Sequence, residues 1–411
     1  MSLRQGLTWL MGGAGLGGAL GLAGLLLAAH VLPAPEFAAL AVAQGLGATL
    51  RLVTVQPWQA LVRYLPGSQA PGTLVGAAWA VDQVCALAAG LALAVVLVAM
   101  PGLVGLSAGL ALATLPLALG LAVQACDPWT GLLLHAGRHD LVARVQVGAG
   151  VIRLAGLAVA AFIDAGLFGM VLGHVVGDLA WALGMVWASW PLRPTGIAIP
   201  VNLQAWRKLE VQHPGLGRLA LTTTGTSLVS GAGAQADVPL VAAVGGPAVA
   251  GAWRLARGLA NLLLILAPPL RQGLLAHASA GRSLPAGIWT GVMAGSGVVV
   301  GGVVAGFGDP LLRWAVGAQG VDLALPLGIA LGGAALHLAG LPWTARLVAA
   351  GRERRVLAAA AVAVPTYLLA LVMTGDRLVH VAWAFAGHQA LALVILAIAG
   401  SRNPVGPVPR D

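Results

Sequence analysis

The sequence predicts an all-α polytopic membrane protein, with about twelve transmembrane helices in two six-helix lobes around a central cavity and both termini cytoplasmic. The first observation is composition, because 59% of the 411 residues are apolar and only 9% are charged, whereas a soluble domain carries about 25% charged residues. The second is length, because a bilayer-spanning helix needs about 20 mostly apolar residues and this chain has enough for twelve. The third is the one-sided distribution of basic residues. Together they exclude a soluble enzyme, a nucleic-acid-binding domain and a disordered chain.

Apolar runs separated by charged residues or by Pro/Gly clusters mark the individual helices. The first run follows Arg4 and is long enough to predict an uncleaved first helix rather than a signal peptide. The predicted spans lie near 9–31, 36–58, 74–99, 102–125, 142–163, 166–190, 217–243, 248–274, 285–308, 321–345, 356–375 and 378–399.

The orientation follows from the tendency of Lys and Arg to stay in cytoplasmic loops. With the N-terminus inside, two of the 22 basic residues, Arg313 and Arg377, lie on the outer side. The residues that fall at cytoplasmic ends and loops are Arg4, Arg63, Arg138, Arg144, Arg193, Arg207, Lys208, Arg218, Arg271, Arg282, Arg346, Arg352, Arg354, Arg355, Arg402 and Arg410. The net charge of +9 is therefore assigned to contacts with anionic membrane lipids and not to nucleic acid.

The longest connection, near 191–216, joins the sixth and seventh predicted spans and is cytoplasmic. It divides the chain into an N-terminal lobe, 1–200, and a C-terminal lobe, 201–411. With six spans each, both lobes begin on the same side of the membrane, which indicates parallel repeats.

Arginines within the predicted spans are the first candidate binding residues, since a charge in the bilayer usually faces a cavity or a partner. Arg51 shares a helix face with Gln44, seven residues earlier, and Arg254, Arg257 and Asn261 share a face at i, i+3 and i+7. Guanidinium groups match phosphate geometry and stay charged when desolvated. A cleft with these side chains therefore suits a pyrophosphate.

Two of the arginines have alternatives that the sequence leaves open. Arg254 lies close enough to a helix end for its side chain to extend to the interface. Arg153, midway along the fifth span, either joins the same anion site or pairs with a buried acid.

Three acids within the spans, Asp82, Asp178 and Asp237, are candidates for ion coupling. A carboxylate in the membrane can carry a proton or bind Na⁺, and it can equally be the counter-ion of an arginine. A fourth acid, Asp127, is predicted at a cytoplasmic helix end. Neither the cysteines nor the histidines show metal-ligand spacing, and no nucleotide-binding motif occurs, so the sequence predicts no metal, no cofactor and no catalytic residue.

One region resembles a known family. Residues 236–279 read ADVPLVAAVGGPAVAGAWRLARGLANLLLILAPPLRQGLLAHAS and resemble the seventh-to-eighth helix region of Wzx-type polysaccharide flippases, members of the multidrug/oligosaccharidyl-lipid/polysaccharide (MOP) superfamily. The turn at Asp237, the Gly-Pro-x-x-x-Gly loop at Gly246–Gly251 and the aromatic–Arg-x-x-Arg start at Trp253–Arg257 carry the resemblance.

Two further segments are similar to the same family, namely HVLPAPEFAALAVAQ (30–44) and LLHAGRHDLVARVQV (133–147). The sequence departs from the family pattern at His30, where an arginine is usual, and the first span has no internal charge. These departures put in doubt any headgroup site that depends on the first helix.

The resemblance implies a flippase without enzymatic activity. Such a protein passes a polyprenyl-pyrophosphate-linked oligosaccharide from the inner to the outer leaflet of the bacterial cytoplasmic membrane by alternating access, for O-antigen, exopolysaccharide or capsule biosynthesis. Its partners would be this substrate, membrane lipids and a polysaccharide polymerase, and the flippase would be a monomer. The alternatives are a drug/cation antiporter of the same superfamily and, less favoured, a polyprenyl-dependent glycosyltransferase or polymerase.

Overall fold

The structure, a computed structural model, is helical throughout the residues that it describes. These residues are 3–52, 61, 64–197, 199, 203–217, 235–267, 270–271, 274–275, 278, 285–320, 322–350 and 352–401. Within these ranges there are α-helices and short 3₁₀ turns and no β-strand, which confirms the predicted all-α class.

The helices follow one another with short connections. In chain order they are α1 (Leu3–Val31), α2 (Ala34–Leu52), α3 (Pro71–Ala99), α4 (Ala108–Thr114), α5 (Pro116–Ala122), α6 (Asp127–His135), α7 (His139–Phe162), α8 (Gly166–Ser189), α9 (Leu203–Gln212), α10 (Asp237–Leu264), α11 (Ala286–Phe307), α12 (Asp309–Val316), α13 (Ala324–Ala349), α14 (Glu353–Thr374) and α15 (Leu378–Ser401).

The described residues contain 10 helical segments that are long and apolar enough to cross a membrane. The protein is therefore a multi-pass membrane protein, as predicted. Of the two other predicted spans, 36–58 corresponds to α2, which is described as far as Leu52, and 217–243 includes residues 218–234, which lie outside the described residues. The cytoplasmic location of both termini stays a prediction.

Packing divides the chain into two compact units. Unit 1 comprises Met1–Val31 and Ala43–Gln235, and unit 2 comprises Leu32–Val42 and Ala236–Asp411. Helix α2 thus contributes its first part to unit 2 and the rest to unit 1. The division into lobes 1–200 and 201–411 stays a prediction from the sequence.

Small residues let helices approach closely within each unit, as is common in membrane proteins. In unit 1, a Cβ added at Gly13 of α1 would lie 2.8 Å from the Cα of Ala143 on α7. In unit 2, Cβ atoms at Gly301 of α11 and Gly328 of α13 would each overlap the other residue's carbonyl oxygen. The Gly-rich composition therefore sets the helix spacing in both units.

The predicted fourth span, 102–125, was wrong in its limits. The corresponding apolar segment runs from Ala108 to His135 and is broken into α4, α5 and α6. Proline stands in the first turn of both α5 and α6, where its missing N–H is tolerated although it would interrupt a continuous helix. Asp127 is consequently the first residue of α6 within this apolar segment.

Helix α10 is also interrupted, at Gly246, whose φ of 85° and ψ of 167° are non-helical. Pro247 follows, and a residue before proline is disfavoured in the helical region. Only glycine adopts this positive φ readily. The break separates Asp237 from Trp253 and Arg257 along the chain and lets the helix change direction between them.

Candidate polar sites in the membrane-spanning helices

The first polar cluster of unit 1 forms where α5 ends and α6 begins. Arg51, in the last turn of α2, donates through Nη2 to Asp82 Oδ1 at 3.3 Å and to the carbonyl oxygen of Gln124 at 2.6 Å. Asp82 of α3 is fully buried, and its Oδ2 accepts the backbone N–H of Asp127 at 3.0 Å. A carboxylate at this position stabilises the exposed N–H groups of a helix N-terminus.

A second ion pair joins α7 to α8. Arg153 Nη2 donates to Asp178 Oδ1 at 2.6 Å. The Gln124 side chain also hydrogen-bonds Asp178, while its backbone oxygen accepts from Arg51. Gln124, in the irregular segment between α5 and α6, therefore connects the two ion pairs of unit 1.

A cavity of about 280 Å³ lies beside the second pair. Within it, the Arg153 side chain is 32% exposed and that of Asp178 is 16% exposed. The lining residues are Gly17, Gln124, Gln146, Ala149, Gly150, Arg153, Asp178 and Trp181. The Trp181 indole is held by its Nε1–H, which donates to the Cys126 sulfur at 2.8 Å.

The charges in this part of unit 1 do not balance. Asp82 and Asp178 are paired with Arg51 and Arg153, and Asp127 lies near the Arg51 charge without an ion pair to any residue that the structure describes. Three carboxylates thus face two guanidinium groups, a difference of one negative charge among the described side chains.

Unit 2 holds one buried ion pair at the break in α10. Arg257 Nη1 donates to Asp237 Oδ2 at 2.5 Å, and the two side chains are 5% and 1% exposed. The same carboxylate oxygen accepts Trp253 Nε1–H at 3.0 Å and the Tyr367 hydroxyl at 3.2 Å. Asp237 Oδ1 accepts the backbone N–H of Val238 at 2.8 Å, so both carboxylate oxygens have partners.

The guanidinium of Arg257 is enclosed on its other sides. Its Nε–H donates to Asn261 Oδ1 at 3.3 Å, and its Cζ lies 4.3 Å from the centre of the Phe385 ring. Arg254, three residues earlier, lies within electrostatic range of Asp237 and Arg257. It makes no ion pair with a described residue, and its Nε is buried without a hydrogen bond to one.

At the edge of unit 1, just beyond α8, Arg193 stacks between two tryptophans. Its Cζ lies 4.4 Å from the centre of the Trp129 ring and 4.5 Å from that of Trp190. Burial lowers the pKa of Arg193 below its ordinary value, whereas the hydrogen bond from Arg138 to Asp140 raises the pKa of Arg138.

The predicted residues therefore separate into groups. Each of the three candidate ion-coupling acids accepts a hydrogen bond from one of the predicted arginines. Asn261, four residues after Arg257, accepts a hydrogen bond from its Nε–H. Gln44 is half-buried on α2, and its side chain makes no hydrogen bond to another residue within the described ranges.

Several polar residues of these clusters were not predicted as site residues. They are Gln124, Asp127, Gln146, Trp181, Trp253 and Tyr367. The pair Asp127–Pro128 was the available signal for the helix break, because Asp and Pro favour a helix start over a helix interior. Among the described residues, no group of three or more His, Cys, Asp or Glu side chains is placed to hold a metal ion.

Comparisons with known proteins give matches in structure only. No family model matches the sequence, and no curated protein matches it. A solved multidrug resistance MATE family transporter of the MOP superfamily, in an inward-facing conformation, is 14% identical with a TM-score of 0.65, and the match covers 98% of this chain and 94% of that one.

Two other solved structures extend this likeness. The lipid II flippase MurJ, in an inward closed conformation, is 14% identical with a TM-score of 0.65, over 93% of this chain and 85% of that one. A mutant of the Vibrio cholerae MATE transporter VcmN is 15% identical with a TM-score of 0.59, over 98% and 97%. These likenesses show that the chain has the fold of MATE transporters and of MurJ over nearly its whole length.

Proposed function

We propose that the protein is a flippase that moves a polyprenyl-pyrophosphate-linked oligosaccharide across a bacterial cytoplasmic membrane, from the inner to the outer leaflet, by alternating access. The fold supports transport as the general activity, because both a lipid II flippase and multidrug transporters share it. The choice of an anionic lipid-linked substrate depends on the charges within the helices.

The observation that carries this choice is the excess positive charge in unit 2. Asp237 is paired with Arg257, so Arg254 is left without a carboxylate partner among the described residues. Two guanidinium groups against one carboxylate leave one positive charge within α10. An uncompensated charge in a membrane-spanning helix is costly unless it faces a cavity or a ligand, and a guanidinium binds phosphate oxygens with paired donors.

This proposal assigns different roles to the four arginines. Arg254 is the residue that binds the pyrophosphate. Arg257, which is held by Asp237 and Asn261, positions Arg254. Arg51 and Arg153 have acidic partners that already neutralise them. We therefore expect those two to contribute less to pyrophosphate affinity than the sequence pattern alone indicated, and we assign Gln44 a weaker polar contact at most.

The test is thermal stabilisation of the purified protein by polyprenyl pyrophosphate, with the same polyprenol lacking phosphate as the ligand control. A ligand at a hundredfold excess over its Kd stabilises the folded state by about 2.7 kcal/mol. We expect Arg254→Ala to abolish most of this stabilisation. The matched control is Arg377→Ala, because the Arg377 side chain is 75% exposed.

Two results would overturn the assignment. Equal stabilisation by polyprenol and by the pyrophosphate would show that the phosphates are not recognised. A full response in the Arg254→Ala variant would remove Arg254 from the site. Membrane lipids, a polysaccharide polymerase and the monomeric state remain parts of the same proposal.

A drug/cation antiporter is the second candidate, and the excess negative charge of unit 1 favours it. Asp82 and Asp178 form ion pairs with arginines, so Asp127 is the carboxylate that we would expect to bind a proton or Na⁺. Efflux of a cationic dye from proteoliposomes, driven by a pH or Na⁺ gradient and lost in Asp127→Asn, would support it. Absence of gradient-driven efflux in the wild type would reject it.

A further inference from the structure

The cavity of unit 1 contains neither Arg254 nor Asp127, the residues to which the pyrophosphate and the coupling ion are assigned above. Its wall contains a guanidinium and a carboxylate that are paired with each other, the amides of Gln124 and Gln146, and the indole of Trp181. Glycine at positions 17 and 150 leaves part of the wall without side chains. The charges cancel locally, while hydrogen-bond donors and acceptors are plentiful.

The polar groups of this wall have unused capacity. The Gln146 amide makes no hydrogen bond to a described residue. A primary amide offers two donors and two acceptor lone pairs. Polar groups removed from bulk water are normally hydrogen-bonded to protein, water or ligand. The cavity is therefore prepared for a molecule that both donates and accepts.

The charge pattern selects the class of that molecule. A cation would be attracted by Asp178 and repelled by Arg153, and an anion the reverse, so this pair, joined at 2.6 Å, offers no net attraction to either kind of ion. A neutral polyhydroxylated ring meets neither penalty. Its hydroxyl groups match the amides and the ion pair, and its C–H face can pack on an indole ring.

Size further restricts the ligand. Pockets for drug-sized ligands have volumes of about 300–1,000 Å³, and the cavity of about 280 Å³ lies just below this range. One sugar ring suits that volume, and the rest of an oligosaccharide would lie outside it. We propose that the unit 1 cavity lined by Gln146, Arg153, Asp178 and Trp181 is a binding subsite for a single neutral monosaccharide unit.

This inference rests on the proposed function for its physiological ligand, since the sugar would be one residue of the lipid-linked oligosaccharide. It does not require that the pyrophosphate bind at Arg254. The experiment therefore uses sugars without lipid or phosphate, so that the two proposals can fail separately.

The probe is a panel of neutral methyl glycosides, those of glucose, galactose, N-acetylglucosamine and rhamnose, with saturation-transfer NMR on the full-length purified protein. We expect at least one glycoside to receive saturation from the protein. Gln146→Leu, which keeps the side-chain size, should weaken its binding about tenfold, which corresponds to the loss of one or two hydrogen bonds. The exposed Gln212 on α9 provides the matched control, Gln212→Leu.

The outcomes are distinct. Binding that is weakened by Gln146→Leu and by Trp181→Ala, and unchanged by Gln212→Leu, supports the subsite. No binding of any glycoside, or binding that all three variants retain, overturns it. If Gln146→Leu does not yield folded protein, Gln146→Ala, which adds no apolar bulk, serves for the same comparison. Loss of polyprenyl pyrophosphate binding in Arg254→Ala, with glycoside binding intact, would concern the pyrophosphate site alone.

Discussion

The Asp237–Arg257 pair offers the sharpest test of the packing in unit 2. Asp237→Ala removes the acceptor of the Arg257 guanidinium, the Trp253 indole N–H and the Tyr367 hydroxyl in one change. Arg257 is only 5% exposed, so its charge would remain buried without a partner. Breaking such a pair from one side costs about 3–5 kcal/mol, and the two neutral donors that lose their acceptor add to this cost.

The measurement is a double-mutant cycle on the free energy of unfolding, with Asp237→Ala, Arg257→Met and the double variant. Replacing both members of a buried ion pair with apolar groups is often nearly neutral. We therefore expect the double variant to be more stable than the sum of the single effects predicts, by about 2–3 kcal/mol. Asp376→Ala is the matched control, because Asp376 is 63% exposed and exposed ion pairs contribute about 0–1 kcal/mol.

Two results would refute this reasoning. If Asp237→Ala cost no more than Asp376→Ala, the buried carboxylate would not hold the cluster together. If the double variant lost the full sum of the two single effects, Asp237 and Arg257 would act independently, and their contact would not be the source of the stability.

Three other predictions follow from contacts in both units. Tyr367→Phe should cost about 1.5–3 kcal/mol, the usual contribution of a hydrogen bond to a charged group, and this cost should vanish in an Asp237→Ala background, as measured by the same unfolding assay. Gly301→Ala should destabilise the protein by about 1–3 kcal/mol, because the added Cβ would overlap the Gly328 carbonyl. Gly302→Ala on the same helix, where nothing lies within 4 Å of an added Cβ, should be neutral or stabilise by up to about 1 kcal/mol. Equal melting temperatures of the two variants would contradict this prediction. Arg193→Ala should cost about 1–2 kcal/mol, because two tryptophan contacts are lost, and Arg193→Lys should recover part of it; a melting temperature unchanged by Arg193→Ala would disprove the role of the stacking.

The sequence was sufficient for the fold class and for most of the helices, because the length and apolarity of a membrane-spanning helix are local properties of the chain. Helices α13 and α15, for example, correspond closely to predicted spans 321–345 and 378–399. It was not sufficient at 102–135. There the apolar run continues across an internal break, and hydropathy alone does not reveal where the backbone leaves the helix.

The polar clusters were predictable as residues but not as partners. Arg51 meets Asp82 across 31 positions, Arg257 meets Asp237 across 20, and Tyr367 meets Asp237 across 130. Such contacts depend on which helices pack together and on their rotation, and neither follows from the period of a single helix. The prediction of one anion site was based on the chemistry of arginine alone. The structure adds that Arg51, Arg153 and Arg257 each have an aspartate partner.

Ion pairs and unpaired charges carry different information about function in a membrane protein. A buried pair can serve stability alone, because each charge compensates the other, so Arg51–Asp82 and Arg153–Asp178 do not by themselves indicate a substrate. The informative groups are those left over, Arg254 in unit 2 and Asp127 in unit 1. Arg254 attracts an anion, as the proposed flippase requires, and Asp127 attracts a cation, as the antiporter requires. Substitutions at Arg254 and Asp127, rather than at the arginines and aspartates that form ion pairs, should therefore distinguish the two candidate functions.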